Sequence, residues 1–283
     1  MRLLAIIGEN RAIVGLPCPV QHHFSIPLVA SVIRYEYPLN ERVRIMLRLE
    51  DLFDRMQWYM QGEHALNHHA AILTLFEIAE VAARADLKTD LLQELERQRA
   101  MLSALRGNPD VEQEKLDRVL GEISDVHTGI HNMTGKVGFH LKEDEWLLAV
   151  KQRAVIPGGL CEFDLPAYHR WLQGKAETRQ AHLQGWLQPM LPIRGGIGIV
   201  LRLMRESCRP AIQQAVNGVY QQAMEANARP AQMVRIGIDE GYCCVPEISA
   251  NKYMLNVRMV RSQPGEGKVC ADSMPFELTF CFL

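Results

Sequence analysis

The chain has 283 residues, of which 48% are apolar and 23% charged, and its formal net charge at pH 7 is −2. This length can supply the core of one large domain or two smaller ones, and the composition is ordinary for a globular protein. A charge so close to neutral excludes binding to nucleic acid or anionic membrane through a global basic field. No stretch approaches the roughly 18 apolar residues of a membrane span, so no membrane insertion is expected.

Residues 1–32 alternate short apolar runs with Gly and Pro and show no sustained period. We interpret them as a disordered or artefactual extension. The chain has seven cysteines without Cys-x-x-Cys spacing, which favours reduced, mostly buried thiols in a cytosolic protein over a disulfide framework or a zinc site.

From Asn40 to about residue 227 the apolar spacing is helical. Asn40 is placed to cap the first helix, and Gly107 with Pro109 ends the third. Asp110, followed by Gln113, predicts a capping box for the fourth helix. The five-residue connection between the third and fourth helices predicts an antiparallel hairpin. Further helices are predicted over residues 65–84, 144–153, 164–172, 177–190 and 196–227, the last one broken near Pro210.

The stretch IPGGLCEFDLPAYHRWL, residues 156–172, breaks this helical pattern. Its Pro-Gly-Gly ends the preceding helix, and residues 160–163 can then run extended. Asp164 is predicted to cap a short helix on which Tyr168 and Trp171 share one face. The stretch contains no nucleophile paired with a base.

After Pro230 the apolar period changes to two. Three alternating runs predict half-buried strands of a small antiparallel sheet, at residues 234–238, 253–259 and 276–282. Residues 33–37 and 160–163 could add strands to this sheet. We therefore predict an α+β fold, with an N-terminal, mostly α-helical domain over residues 33–228 and an antiparallel β domain over residues 229–283.

Two histidine pairs and one glycine cluster are the candidates for catalytic chemistry: His64/His68, His127/His131 and residues 194–198. Neither pair has a Glu after its first His or an obvious third ligand nearby. The glycine cluster leads into a predicted helix and could bind an anion, but no strand precedes it and no Gly-Lys-Ser/Thr follows. We expect no metal and no cofactor. A metal-dependent or nucleotide-using enzyme remains the alternative function.

Basic side chains on otherwise apolar helices are the positive feature of the sequence. Any single one could equally be a solubilising residue or part of an intrachain ion pair. Together they form a candidate groove for an acidic or carboxylate-bearing peptide. They lie in three groups: Arg44 and Arg48, one helical turn apart; Lys151, Arg153 and His169, beside residues 156–172; and Arg202, Arg205 and Arg209, at i, i+3 and i+7.

Five segments resemble the pattern of the ZapD family, which are cytoplasmic bacterial cell-division factors. They are residues 156–172, YEYPLNERVRIMLRLE at 35–50, DLLQELER at 90–97, KQR at 151–153 and NGVY at 217–220. The resemblance runs from about residue 33 to the C-terminus and does not cover residues 1–32. It implies an adaptor, not an enzyme, that binds the tubulin-like GTPase FtsZ, most simply through its C-terminal tail. Such an adaptor bundles FtsZ protofilaments and enhances Z-ring assembly and septation at the mid-cell division site. Reduced FtsZ GTPase activity would follow from the bundling.

We therefore expect the tail of FtsZ to contact basic residues of this chain, namely Arg44, Arg48, Lys151, Arg153, His169, Arg202 and Arg205. Bundling needs two binding sites at a fixed separation, and a symmetric homodimer of one-site subunits supplies them. Nucleic-acid binding through the arginines is a further alternative, which we do not expect.

Overall fold

The computed structural model describes residues 31–83, 86–224, 230–261, 269–270 and 272–282. These residues form two compact units, one comprising Glu41–Leu203 and the other comprising the residues on both sides of that span. The first unit is helical and the second is built mainly from antiparallel strands, so the predicted α+β fold is confirmed. The predicted extension lies outside the described residues, apart from Ser31 and Val32.

The helical unit follows the apolar periodicity of the sequence. In α1, for example, Val43, Met46, Leu49 and Phe53 are buried and recur three or four residues apart, as a 3.6-residue turn requires. No helix in the described part of the chain is both long and apolar enough to cross a membrane. The helices are α1 Glu41–Gln61, α2 Ala65–Ala83, α3 Leu87–Ser103, α4 Gln113–Asn132, α5 Glu145–Ala154, α6 Pro166–Leu172, α7 Ala176–Leu187 and α8 Leu191–Glu206, with short 3-10 turns at Phe139–Lys142 and Gln188–Met190.

Helices α3 and α4 pack against each other, as the short connection predicts. The predicted capping box between them is wrong. The N-cap of α4 is Glu112, whose side chain makes no capping hydrogen bond. Gln113 bonds to the loop instead: its Oε1 accepts from the Gly107 amide at 3.2 Å and its Nε2 donates to the Asn108 carbonyl at 3.2 Å.

The sequence suggests that the glycine cluster leads into a helix, but the cluster lies inside α8. A Cβ on Gly196 would lie 2.8 Å from Ile130 Cδ1, and one on Gly195 would lie 3.1 Å from Val126 Cγ2. These two glycines therefore allow α8 to approach α4 closely. Their role is packing, and the helix N-terminus that an anion would need lies elsewhere.

The predicted helix over residues 196–227 is correct only as far as Glu206, where α8 ends. Two short strands joined by a tight turn follow, and they belong to different sheets. The turn is Asn217-Gly218, where both residues have positive φ, 51° and 71°. The amides and carbonyls of Val216 and Val219 exchange hydrogen bonds of 2.9 and 3.0 Å across this turn. Asn-Gly is the typical sequence of such a two-residue hairpin turn.

The strands of the second unit form two antiparallel sheets, with the orders β1-β4-β7-β2 and β3-β6-β5. The three runs predicted after Pro230 are confirmed as β4, β6 and β7. The predicted strand at residues 33–37 is confirmed as β1, which pairs with β4. Within the described residues the strands are β1 Val32–Pro38, β2 Ala211–Ala215, β3 Val219–Ala223, β4 Met233–Asp239, β5 Cys244–Ala250, β6 Met254–Arg261 and β7 Met274–Cys281.

Alternate residues of both sheets fill one core. Ile236, Leu278 and Val257 are among its buried members. The Tyr220 ring packs edge-on against Phe276 with 5.2 Å between the ring centroids. Burial raises the pKa of the Tyr220 hydroxyl.

A disulfide joins Cys244 to Cys270 in this unit, so the expectation of entirely reduced thiols is wrong for this pair. The strands bring the two residues together although 26 positions separate them. Cys244 starts β5 opposite Arg261 of β6, and the Cys270 amide bonds to the Met259 carbonyl of β6 at 2.8 Å. The expected burial is also wrong for two of the free thiols, because Cys161 and Cys243 are exposed.

Candidate partner-binding surface

The segment after α5 is a run of turns, so the predicted strand at residues 160–163 is wrong. Its backbone hydrogen bonds are local: the Gly159 amide bonds to the Ile156 carbonyl at 2.9 Å, and the Asp164 amide to the Cys161 carbonyl at 3.1 Å. Gly158 supplies a left-handed residue with φ of 72°. Because these groups bond within the segment, they cannot form a sheet ladder.

Asp164 does not cap α6, so the predicted cap is wrong. The N-cap is Leu165, and no side chain caps the helix there. Asp164 lies instead 3.6 Å from Arg153 Nη1 at the end of α5. The capping aspartate of this region is Asp144, whose Oδ1 accepts from the Leu147 amide of α5 at 2.9 Å.

An aromatic cluster holds α5, α6 and α7 together. The rings of Tyr168 and Trp171 lie 6.0 Å apart and nearly parallel, which confirms that they share a face of α6. Trp146 contacts both rings and stacks on Trp186 at 5.5 Å. Tyr168 is buried and its hydroxyl lies 2.7 Å from His69 Nδ1, and burial raises the pKa of Tyr168 and lowers that of His69. These aromatic residues therefore position the residues of α5 and α6 that follow.

A buried arginine occupies one ring nitrogen of His68, in the first histidine pair. Arg179 Nε donates to His68 Nδ1 at 2.8 Å, and its Nη atoms donate to the carbonyls of Leu172 at 2.9 Å, Glu63 at 2.7 Å and Gly174. Burial and the positive charge of Arg179 lower the pKa of His68. The imidazole is thus a neutral acceptor inside the fold, and its Nδ1 is already occupied.

The second histidine pair lies on α4, where the rings of His127 and His131 stack with 6.4 Å between their centroids. Across the described residues, no three His, Cys, Asp or Glu side chains come together as metal ligands would. The arrangement gives neither pair a third ligand.

The two arginines of α1 differ in their partners. Arg44 Nε lies 3.1 Å from Glu41 Oε2, in an i, i+3 pair on the exposed face of the helix. Arg48 is exposed and pairs with none of the residues that the structure describes. Both guanidinium groups can therefore reach an external carboxylate at little cost.

Lys151, Arg153 and His169 lie around the turn segment, as their sequence positions suggest. Lys151 Nζ lies 3.0 Å from Glu80 Oε1 and 5.7 Å from the centre of the Phe76 ring. Arg153 pairs with Asp164, and His169 Nε2 lies 3.7 Å from Glu162 Oε2. All three pairs are partly exposed, so the cations are held loosely.

On α8 the two predicted arginines have different surroundings. Arg202 pairs with Glu122 of α4, and both side chains are about two-fifths exposed, at 43% and 41%. Arg205 makes a two-pronged pair with Glu36 of β1, with Nε–Oε1 at 2.8 Å and Nη2–Oε2 at 2.7 Å. Arg235 Nε lies 3.0 Å from the same carboxylate without hydrogen-bond alignment. Arg205 is therefore part of the internal structure of the β unit.

A groove between α2, the 139–142 turn and α5 is a feature that reasoning from the sequence missed. It encloses a cavity of about 120 Å³ with a mainly apolar lining. Three lysines line it: Lys136, Lys142 and Lys151. Of these, only Lys151 is among the contact residues predicted from the sequence. The sequence signal that could have indicated the groove is a phenylalanine with a lysine three residues away on each side, in KVGFHLK at 136–142.

These features describe an α+β protein with loosely held basic side chains and, among its described residues, no cluster of metal-ligating side chains. The family model of ZapD, described as a cell division protein, matches residues 47–258. "Cell division protein ZapD" of Dechloromonas aromatica (strain RCB) is 51% identical over 254 residues, which cover 89% of this chain and all of the relative. The protein of that name from Aromatoleum aromaticum (strain DSM 19018 / LMG 30748 / EbN1) is 49% identical over 253 residues, 89% of this chain and 98% of the relative. The one from Nitrosomonas europaea (strain ATCC 19718 / CIP 103999 / KCTC 2705 / NBRC 14298) is 48% identical over 258 residues, 90% of this chain and 97% of the relative. The chain belongs to the ZapD family of cell division proteins.

Proposed function

We propose that this protein is a homodimeric, non-catalytic adaptor that binds FtsZ, cross-links its protofilaments into bundles and enhances Z-ring assembly. It acts in the cytoplasm at the mid-cell division site. A bundled filament exchanges subunits more slowly, so FtsZ GTPase activity falls as a consequence. The observation that carries the proposal is the family match across the helical unit and most of the β unit, with relatives named as cell division proteins.

The loosely held cations support a charge-assisted contact with the FtsZ tail. Arg48 is exposed, while Arg44, Arg202, Lys151, Arg153 and His169 sit in partly exposed pairs that an incoming carboxylate can replace. Arg205 differs, because Glu36 already occupies its guanidinium group. We therefore propose the first six as contacts and Arg205 as a residue that acts through the fold.

Bivalency explains how a weak contact can bundle filaments. A disordered acidic tail that orders on binding gives a low affinity at each site. Two sites on one homodimer raise the overall affinity through effective concentration and connect two filaments. Size-exclusion chromatography with light scattering should therefore give about twice the 32.1 kDa mass of one chain.

Co-sedimentation with polymerised FtsZ tests the proposal. The wild-type protein should pellet with the polymer, and the pelleted fraction should fall as salt rises, because partly exposed ion pairs are screened beyond about 8 Å at physiological ionic strength. Arg48→Glu should reduce pelleting by about tenfold or more, since a charge-assisted hydrogen bond contributes roughly 1.5–3 kcal/mol. Glu50→Gln, a change at a nearby carboxylate of α1, is the control. Absence of co-sedimentation at low salt would contradict the proposal.

A further inference from the structure

We propose that the groove between α2, the 139–142 turn and α5 is the docking site for an acidic peptide segment that inserts a bulky apolar side chain. This inference rests on the proposed function, and it names a site on the helical unit. Of the predicted contact residues, only Lys151 belongs to it.

The floor of the groove is apolar and formed from several elements. Phe76 of α2, Val137 and Leu141 near the 3-10 turn, and Leu147 of α5 are buried and line the cavity. A volume of about 120 Å³ leaves room for one large apolar side chain. An occupant would remove this surface from water, which is the main favourable term in peptide docking to apolar grooves.

Two apolar side chains stand at the edge of the cavity and remain in contact with solvent. Phe139 is 51% exposed and Leu148 is 39% exposed. Both line the same cavity as the buried floor, so they extend its apolar surface outward. A peptide lying in the groove would cover them together with the floor.

The charges at the edge specify the chemistry of the occupant. Three lysines, Lys136, Lys142 and Lys151, line the groove together with a single carboxylate, Glu80. Glu80 pairs with Lys151, whereas Lys136 and Lys142 form salt bridges with none of the described acidic residues. The lining thus carries a surplus of two positive charges around an apolar centre. A segment that combines carboxylates with an apolar anchor complements both features.

The walls of the groove are fixed before any peptide binds. Gly138, at the start of the 3-10 turn, has φ of 75°, and a Cβ there would lie 2.9 Å from Ala79 Cβ of α2. The turn therefore sits directly against α2 because this residue is a glycine. His140 Nε2 lies 2.8 Å from the Trp186 carbonyl and further fixes the turn, so little ordering has to accompany docking.

Binding of a fluorescent peptide with the sequence of the FtsZ C-terminal tail, followed by anisotropy, tests the site. Phe139→Ser removes the exposed apolar edge, and Lys142→Glu reverses a charge that no described acid neutralises. Each should weaken binding about tenfold or more. Leu66→Ser and Lys175→Glu change exposed residues of the helical unit outside the groove, and their affinities should stay within about twofold of wild type. Thermal unfolding of all four variants confirms that they are folded.

A second measurement locates the peptide directly. A photo-crosslinking amino acid at Leu148 should attach to the peptide, and the same group at Leu66 should not. If the wild-type protein binds the peptide but the groove variants bind as the controls do, the groove is the wrong site and the proposed function stands. If the wild-type protein binds neither the peptide nor polymerised FtsZ, the proposed function fails, and the assignment of the groove fails with it.

Discussion

Two groups of basic side chains, one in each unit, differ in what already surrounds them. In the β unit, Glu36 binds Arg205 in two places and lies beside Arg235, and the side chains of both Glu36 and Arg205 are less than a third exposed. In the helical unit, Lys136, Lys142 and Arg48 are exposed and pair with none of the described acidic residues. The first kind of cation stabilises the fold, and the second kind is available to a partner.

Among the described residues of the helical unit, Arg179 is the most buried cation, at 4% exposure, and we expect its loss to be the most damaging. Arg179→Ala would leave the carbonyls of Glu63 and Leu172 and the Nδ1 of His68 without their donor. The bond to His68 is buried and the bonds to the two carbonyls are partly buried. A buried acceptor without a partner costs about 1–3 kcal/mol and a partly buried one costs less, so the free energy of unfolding should fall by about 2–4 kcal/mol in urea denaturation. Arg170→Ala, at an exposed position, should change it by less than about 0.5 kcal/mol. Equal effects of the two substitutions would contradict the role of Arg179.

Arg205 and Arg48 make the sharpest contrast between fold and partner. Arg205→Glu removes the two-pronged pair and places a second carboxylate beside Glu36, so it should lower the free energy of unfolding by about 2 kcal/mol. Arg48→Glu should leave stability within about 0.5 kcal/mol of wild type while it weakens co-sedimentation with FtsZ. Chemical denaturation and co-sedimentation of both variants separate the two roles. An Arg205→Glu protein of wild-type stability that no longer binds FtsZ would instead place Arg205 at the contact.

The helices of the first unit were predictable because each buries its own periodic stripe, and this signal is local. The strands at residues 211–215 and 219–223 contradict the predicted helix, although Asn217-Gly218 between them is typical of a tight turn, because the apolar spacing stays compatible with a helix to about residue 227. The partners of the arginines could not be predicted. Glu36 and Arg205 are 169 positions apart, and only the fold determines that they meet. The groove depends in the same way on three elements that are separate in sequence, α2, the 139–142 turn and α5.

The smallest expected effects on stability concern Asp144 and Asp164, which lie near the ends of α5 and α6. Asp144 caps α5 through the Leu147 amide and also accepts from Trp186 Nε1 at 3.0 Å, so Asp144→Ala should cost about 1–2 kcal/mol of stability. Asp164 does not cap α6, and its side chain makes a partly exposed pair with Arg153 at 3.6 Å, so Asp164→Ala should cost less than about 0.5 kcal/mol. Because Asp144 holds one wall of the groove, Asp144→Asn, which keeps a capping oxygen, should recover much of the loss. Thermal unfolding of the three variants measures this order, and a larger loss for Asp164→Ala than for Asp144→Ala would reverse the assignment of the cap.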